Sequence, residues 1–389
     1  MKVLHVIPSV SPLRGGPSKA VFGMVQALRR HDVEAAILTT NDDGPGIDPS
    51  LPTGRWCQRE DVPLLAFPRW SPPLRPLREF AISPGLVAWL RRHVRDYDLL
   101  HVHAIFSFPS TWSMAQARRS GVPYVVRTIG QLSPWSLSQS PARKRWMLRL
   151  VERRNLDAAA ALHFTSRAER DEAASLGLLP PPLLVPLGVS APDHQPRIAE
   201  WGRPEVRFLF LSRLHPKKGL HRLLKALAIL QARHPRASWS LSIAGSGSPS
   251  YEEELRSLIR QGGIDERCQW LGHLQGPHKT QQLCAADWLV LPSAGENFGI
   301  VVAEALACGT PVILSPEVAI ADLVETAGAG MICSSEPEAL AGCLEKALRK
   351  PPASMRQAAL NLARDHLDWS AIAADLRNAY ASILTSSTP

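Results

Sequence analysis

Residues 288–314 read WLVLPSAGENFGIVVAEALACGTPVIL. An apolar run ends at Leu291, a loop with Pro and Gly follows, an apolar stretch carrying Glu304 reads as a helix over 301–308, and VIL opens the next run. Strand, loop, helix, strand is the unit of a parallel sheet, because a parallel return needs a long crossover that a helix supplies. Gly309 after Cys308 suits a left-handed helix stop.

The same alternation extends outward. VRFLFLS, SWSLSIAG and CQWLG before this stretch, and GMIC after it, read as strands. The helix at 219–230 places Leu220, Leu223, Leu224, Leu227 and Leu230 on one face. From residue 2 to 188, KVLHVIP, VEAAILTT, PLLAFP, YDLLHVHA, PYVVRTI, AALHFTS and LLVPL alternate with helical stretches such as 18–30 and 86–94. Apart from PLLAFP, residues 41–84 are rich in Pro, Gly and Asp and read as a long connection. Periodicity fails again between Gly188 and Arg207, where proline accumulates. The expectation is an α/β chain of two doubly wound parallel sheets: a Rossmann-like domain over 1–188, a linker over 189–205, a second such domain over 206–365, and a C-terminal helix over 366–389 that either caps the second domain or crosses back to the first.

A chain of 389 residues exceeds what one core usually serves. No stretch approaches the ~18 uninterrupted apolar residues of a membrane span, and the first ten residues read as a buried strand, not a secretory signal. The cysteines (Cys57, Cys268, Cys284, Cys308, Cys333, Cys343) form no CxxC pair and read as reduced core thiols. This points to a cytoplasmic protein. A formal charge of +9 favours anionic partners such as nucleotides or acidic lipid. Nucleic acid is not expected, since no zinc-finger spacing, ribonucleoprotein motif or long basic tail is present.

Open parallel sheets bind ligands beyond the carboxyl ends of their strands, so the loops there are the places to look. In SRLHPKKG, Arg213 and Lys218 stand between a strand and a helix, where a guanidinium and an ammonium can neutralise a pyrophosphate. A solvated basic loop would read the same way. In GENFGI, the amides of Asn297, Phe298, Gly299 and Ile300 approach a helix start, and Gly299 lets a phosphate near the backbone. Glu296 precedes that helix and can accept from sugar hydroxyls. Glu304 lies in apolar IVVAEALA, where burial demands a partner; a ribose diol would serve, and a surface-facing glutamate is the alternative. Gly245-Ser246-Gly247 is a turn near the nucleotide, although the third glycine of a dinucleotide fingerprint is missing.

In the first half, Gly15 and Gly16 open a helix with Pro17 in its first turn; a tight turn explains them equally well. His101 and His103 share one strand face, and metal binding is not expected because no third ligand is visible. Asp96-Tyr97-Asp98 offers an aspartate pair, but it starts a strand at the end away from the ligand crevice. ARKRWMLRLVERR over 142–154 reads as a basic helix with Trp146, Met147 and Leu150 interleaved, suited to an anionic membrane or simply solvated.

The chain resembles the retaining glycosyltransferases of family four, of GT-B architecture, over nearly its whole length. The resemblance rests on Glu296 and Glu304 within ENFGIVVAE and on Arg213 and Lys218 within SRLHPKKG. It implies two domains facing across a cleft, the first on the acceptor side and the second holding a nucleotide-sugar. Glu296 would contact the transferred hexose-type sugar, Glu304 the ribose, Arg213 and Lys218 the pyrophosphate, and His103 would stand near the sugar and the acceptor. No cofactor and no metal are implied. LHVIPSVSPLRGGPSKAV and VVRTIGQLSPW resemble the branch that assembles bacterial exopolysaccharide and surface glycans, so a glycan or lipid-linked acceptor and a peripheral inner-membrane location are expected. Relatives often read Pro-Asn-Gly-Val-Asp where this chain has Pro186-Leu187-Gly188-Val189-Ser190. A nucleotide-sugar epimerase of the same architecture and a non-catalytic nucleotide-sugar-binding module are the rival readings.

Overall fold

A computed structural model describes residues 1–74, 78–139, 141–192 and 205–386. The chain forms two compact units: Met1–Gly188 together with Trp369–Pro389, and Val189–Asp368. The linker expected at 189–205 falls largely on residues 193–204, outside the described residues.

The strands of the first unit are β1 (Lys2–Ser9), β2 (Glu34–Thr40), β3 (Asp42–Asp43), β4 (Gly46–Ile47), β5 (Trp56–Arg59), β6 (Val62–Phe67), β7 (Leu99–His103), β8 (Tyr124–Arg127), β9 (Ala161–Phe164) and β10 (Pro182–Leu184). Its main sheet runs β10-β9-β8-β7-β1-β2-β6-β5, so the order reverses between β1 and β7. All pairs are parallel except β5 on β6. Residues 41–84 are therefore more than a connection: they add the β3–β4 hairpin and the edge strand β5. The buried Arg69 ties this segment down through its ion pair with Asp42 and a 2.7 Å bond to the Gly46 carbonyl. The core packs Leu4, Val6, Leu100, Val102, Tyr124 and Val126 under flanking helices.

The Trp369–Ser386 helix belongs to this unit and packs on the Gly16–Arg30 helix. Trp369 lies against the α-carbons of Gly23 and Gly188; on either residue a Cβ would collide with the indole. Residues 142–154 are not one regular helix. A π-helical turn at Leu148–Glu152 separates two α-helical pieces and turns Glu152 inward, where it accepts hydrogen bonds from the Phe106 amide at 3.2 Å and the Thr111 hydroxyl.

The second unit contains β11 (Val206–Leu211), β12 (Trp239–Ala244), β13 (Cys268–Gly272), β14 (Trp288–Leu291), β15 (Val312–Leu314) and β16 (Gly330–Ile332) in the order β13-β12-β11-β14-β15-β16, all parallel. The switch point lies between β11 and β14. Phe208, Phe210, Leu241, Ile243, Leu289 and Leu291 fill its core, and the Leu220–Arg233 helix buries the leucine face expected from its spacing. Among the described residues no helix is long and apolar enough to cross a membrane.

Candidate functional site

In the second unit the loops after β11, β12 and β14 leave neighbouring strands, so they gather at one end of the sheet. Lys218 from the β11 loop forms an ion pair with Glu296 from the β14 loop across the switch point, both side chains about one-seventh exposed. Backbone contacts fix the two loops: the Lys217 carbonyl accepts from the Ala294 amide at 2.8 Å and from the Ser293 hydroxyl at 3.0 Å. Ser293 is fully buried, and its own carbonyl accepts from Ser315 at 2.6 Å. Glu296 is clamped in turn by the segment after β15, donating its amide to Glu317 and accepting from the Ala319 amide, each at 3.1 Å. Arg213, exposed on the same β11 loop, has no carboxylate partner among the described residues.

The helix Ile300–Ala307 begins directly after this loop. Gly299, at φ 82°, is its N-cap and offers no side-chain acceptor to the first-turn amides. Those amides are the unpaired donors of any helix start. An anion placed there meets N–H groups and the positive end of the helix dipole, with Lys218 beside it. Gly309 takes φ 68° just after the helix, the expected left-handed stop.

Two features have partners within the protein. Lys279 on the Gly276–Ala285 helix pairs with Oε2 of Glu304, so the burial of this carboxylate is met without a ligand. Lys279 was not singled out in the sequence: its spacing to Glu304 is set by a helix-to-helix packing that periodicity does not reveal. The glycines of Gly245-Ser246-Gly247 are required by the backbone that packs on them. A Cβ on Gly245 would overlap the Ser212 carbonyl oxygen and one on Gly247 the Leu214 carbonyl oxygen, since the β11 loop runs against them with Leu214 N–H donating to Ser246 at 2.9 Å.

In the first unit, Gly15 (φ 78°) starts the Gly16–Arg30 helix with open space where a Cβ would stand. Arg14 anchors this loop to Asp42 at 2.7 Å. His103 is buried with three other histidines. Its Nε2 meets Nδ1 of His5 at 3.0 Å, its ring stacks on His101 at 4.4 Å, and His163 lies beyond. The protons of one chain can be assigned from its end. The Val185 carbonyl only accepts, so Nε2–H of His163 donates to it (2.7 Å), His163 Nδ1 accepts from His101 Nε2 (3.2 Å), and His101 Nδ1 accepts from the Tyr380 hydroxyl (2.6 Å). Burial holds His5 and His163 down to about 3 and His101 and His103 well below the ordinary imidazole range, with the neighbouring Arg127 charge adding to the effect. Arg127, itself buried, is lowered to about 10.

The third metal-type ligand not visible in the sequence is therefore present. His5, His101 and His103 bring ligand atoms within 4.8 Å of one another. A cation there would have to displace a hydrogen bond at one nitrogen of His101, compete with the His5–His103 contact and sit near the Arg127 charge, so the neutral hydrogen-bonded set is the better fit to these residues. Immediately after β7 and β8, Ala104, Phe106 and Ile129 hold positive φ values of 69°, 58° and 53°. Such angles are rare for residues with a Cβ, above all for a β-branched isoleucine, and cluster where loops are shaped for function.

Comparison with known proteins identifies the family. Residues 15–188 match the family described as glycosyl transferase 4-like domain, and residues 194–364 match glycosyl transferases group 1. The D-inositol 3-phosphate glycosyltransferase of Arthrobacter sp. (strain FB24) is 30% identical over 334 residues, covering 80% of this chain and 76% of the relative. The chain belongs to glycosyltransferase family four. A more distant relative spans nearly all of this family-four enzyme: the phosphatidyl-myo-inositol mannosyltransferase of Mycobacterium leprae, 26% identical over 99% of this chain and 98% of its own. In fold the glycosyltransferase matches sucrose-phosphate synthase from Thermosynechococcus elongatus (TM-score 0.80, 19% identity, 99% and 100% coverage) and HepE from Anabaena in complex with UDP and glucose (TM-score 0.73, 21% identity, 98% and 100% coverage). Its two Rossmann-like units are those of the GT-B fold. The protein is thus a sugar-transferring enzyme of glycan biosynthesis, and the epimerase and binding-module readings are not favoured.

Proposed function

We propose that this glycosyltransferase binds the diphosphate of a nucleotide-sugar at the switch point of its second sheet and transfers a hexose-type sugar, with retention of configuration, to a glycan or lipid-linked acceptor. The observation that carries the reading is the meeting of Lys218 and Glu296 beside the uncapped helix start at Gly299. The Lys218 ammonium, the Arg213 guanidinium and the amides from Phe298 to Ile300 leading into the helix would stabilise charge on the departing diphosphate, an effect worth several kcal/mol in a closed site. Glu296 is assigned to the hydroxyls of the transferred sugar and Glu304, steadied by Lys279, to the ribose. By family resemblance His103 is assigned to the sugar and acceptor.

The hydrogen bond and ring contact of the His103 side chain are to the imidazoles of His5 and His101, with the Arg127 charge nearby, and none of these groups is a carboxylate nucleophile. This favours front-face displacement, in which the C1–oxygen bond to the diphosphate breaks, the acceptor oxygen bonds to C1 on the same face, and the departing phosphate oxygen takes the acceptor proton. Cationic side chains and amides supply the neutralisation that a divalent ion brings elsewhere, so we assign a metal-independent reaction. The exposed Trp146 and Leu150, with the neighbouring arginines Arg145 and Arg149, are assigned to an acidic membrane surface. Product analysis by NMR with a panel of nucleotide-sugars tests the core of the reading. The expected result is a new glycosidic linkage of the donor's own anomeric configuration, formed equally well with EDTA present; an inverted linkage or loss of activity on chelation would refute the corresponding part.

A further inference from the structure

At the amino ends of the first unit's strands lies a cavity of about 320 Å³ that has no part in the transfer site described above. Three aromatic rings wall it. Trp56 stands on the edge strand β5, 45% exposed; Trp89 comes from the Pro84–His93 helix; Tyr97 precedes β7. Trp56 meets Trp89 edge-on at 6.0 Å, and Trp89 is braced from behind by His93, stacked at 4.8 Å. Polar groups of both signs complete the lining. Lys2 pairs with Glu34 at 3.4 Å, and Asp96 accepts from His93 at 2.9 Å.

These features narrow the occupant. An anion or a cation would meet charges of the wrong sign as often as the right one, since Lys2 and Arg29 stand against Glu34 and Asp96. A quaternary ammonium is further disfavoured because the Lys2 ammonium already lies over the Tyr97 ring, 5.3 Å from its centroid. A purely apolar ligand would strip water from Lys2, Glu34 and Asp96 and offer no hydrogen bond in its place. What remains is a neutral ring with apolar C–H faces to lie on indole and hydroxyls that both donate and accept. We propose that this cavity binds a neutral saccharide unit of a glycan. β1 spans about 23 Å from Lys2 to Ser9 at ~3.3 Å per residue. The cavity therefore sits a strand's length from Gly15 and His103, and a sugar held there belongs to a different residue of a glycan from the one being extended. The inference rests on membership of a glycan-building family, not on the donor assignments above.

Isothermal titration of the intact enzyme with maltotriose, cellotriose and mannotriose tests it, with tetramethylammonium as the cationic control. At least one trisaccharide is expected to saturate with a Kd of about 0.1–10 mM, weakened roughly ten-fold or more in Trp56→Ala and unchanged by saturating UDP. Since Trp56 is a surface residue, its replacement leaves the core intact; a Glu34→Gln variant, also at the rim, gives a second reading by saturation-transfer NMR. Absence of saturation with all three sugars, binding indifferent to Trp56→Ala and Glu34→Gln, or binding of tetramethylammonium alone would each overturn the proposal. Displacement of the sugar by UDP would do so as well, by moving it to the donor site. Loss of catalytic transfer leaves this binding measurement unaffected, so failure of either reading is seen separately.

Discussion

Tyr380 and His101 stand 279 residues apart in the chain and 2.6 Å apart in space. The phenol is fully buried, and its hydroxyl donates to Nδ1 of an imidazole that stacks on His103. Tyr380→Phe keeps the ring and deletes only the donor, leaving Nδ1 of His101 without a partner. An unmade buried hydrogen bond costs about 1–3 kcal/mol. The melting temperature should fall accordingly, while the bonds running from Val185 through His163 should keep the His101 proton on Nε2; nitrogen chemical shifts showing the Nδ1–H tautomer would refute the proton assignment.

Acidification should unfold the first unit early. His5, His101, His103 and His163 are held neutral by burial, so their folded pKa values lie below the unfolded value near 6.5. The unfolded chain then binds more protons, and stability is present above pH ~6.5 and lost as pH falls from there toward about 3. Each histidine that must charge costs about 1.4 kcal/mol per pH unit over that window. Melting temperatures measured from pH 8 to pH 5 should drop steeply below ~6.5, and replacement of His163 by Gln should flatten the slope.

Lys218→Ala and Arg213→Ala should each lower turnover by about 10²–10³-fold, the scale seen when one preorganised charge stabiliser is removed. The fold should survive, because the loop carrying both residues is held through the Lys217 carbonyl by the Ser293 hydroxyl and the Ala294 amide, and neither side chain is part of the apolar core. Near-normal steady-state rates in either variant would count against the diphosphate assignment.

Lys279→Met should act on Glu304. The pair is mostly buried, so removing the cation leaves a carboxylate partly stripped of water, and the Km for donor should rise more than kcat falls if Glu304 serves the ribose. Restoring charge with Lys279→Arg should recover part of the loss. A pure fall in melting temperature with unaltered Km would reduce Lys279 to a structural role.

Glycine substitutions separate packing from function. Gly245→Ala forces a Cβ into the Ser212 carbonyl and should unfold or strongly destabilise the second unit. Gly15→Ala meets open space and only bears the strain of φ 78°, about 1–2 kcal/mol, so that protein should fold well enough for its kinetics to be measured.

The parallel alternation of both units is legible because fully buried strands such as Trp288–Leu291 and Val312–Leu314 are short apolar runs between helical periods. The edge strand Trp56–Arg59 is not: one face is solvated, it is antiparallel, and turn residues flank it. The donor loops are readable because each side chain precedes or opens a helix within a few residues. By contrast, Lys279, Ser293 and the four-histidine set depend on neighbours in space. His5 comes from β1, His101 and His103 from β7 and His163 from β9, and only the strand order brings them together. The π-helical turn at Leu148–Glu152 escaped notice for a related reason, since what draws Glu152 inward is Thr111 and the Phe106 amide, not its own segment.

The return of the chain at Trp369 sets an order of events on the ribosome. Val189–Asp368 is a contiguous stretch and has all its strands before residue 369 is made, whereas the first unit, begun earlier, waits for Trp369 to seat against Gly23 and Gly188 and for Tyr380 to reach His101. The half that is translated first is the half that is finished last, and a stalled or trimmed C-terminal end leaves it, rather than the donor half, exposed to proteases.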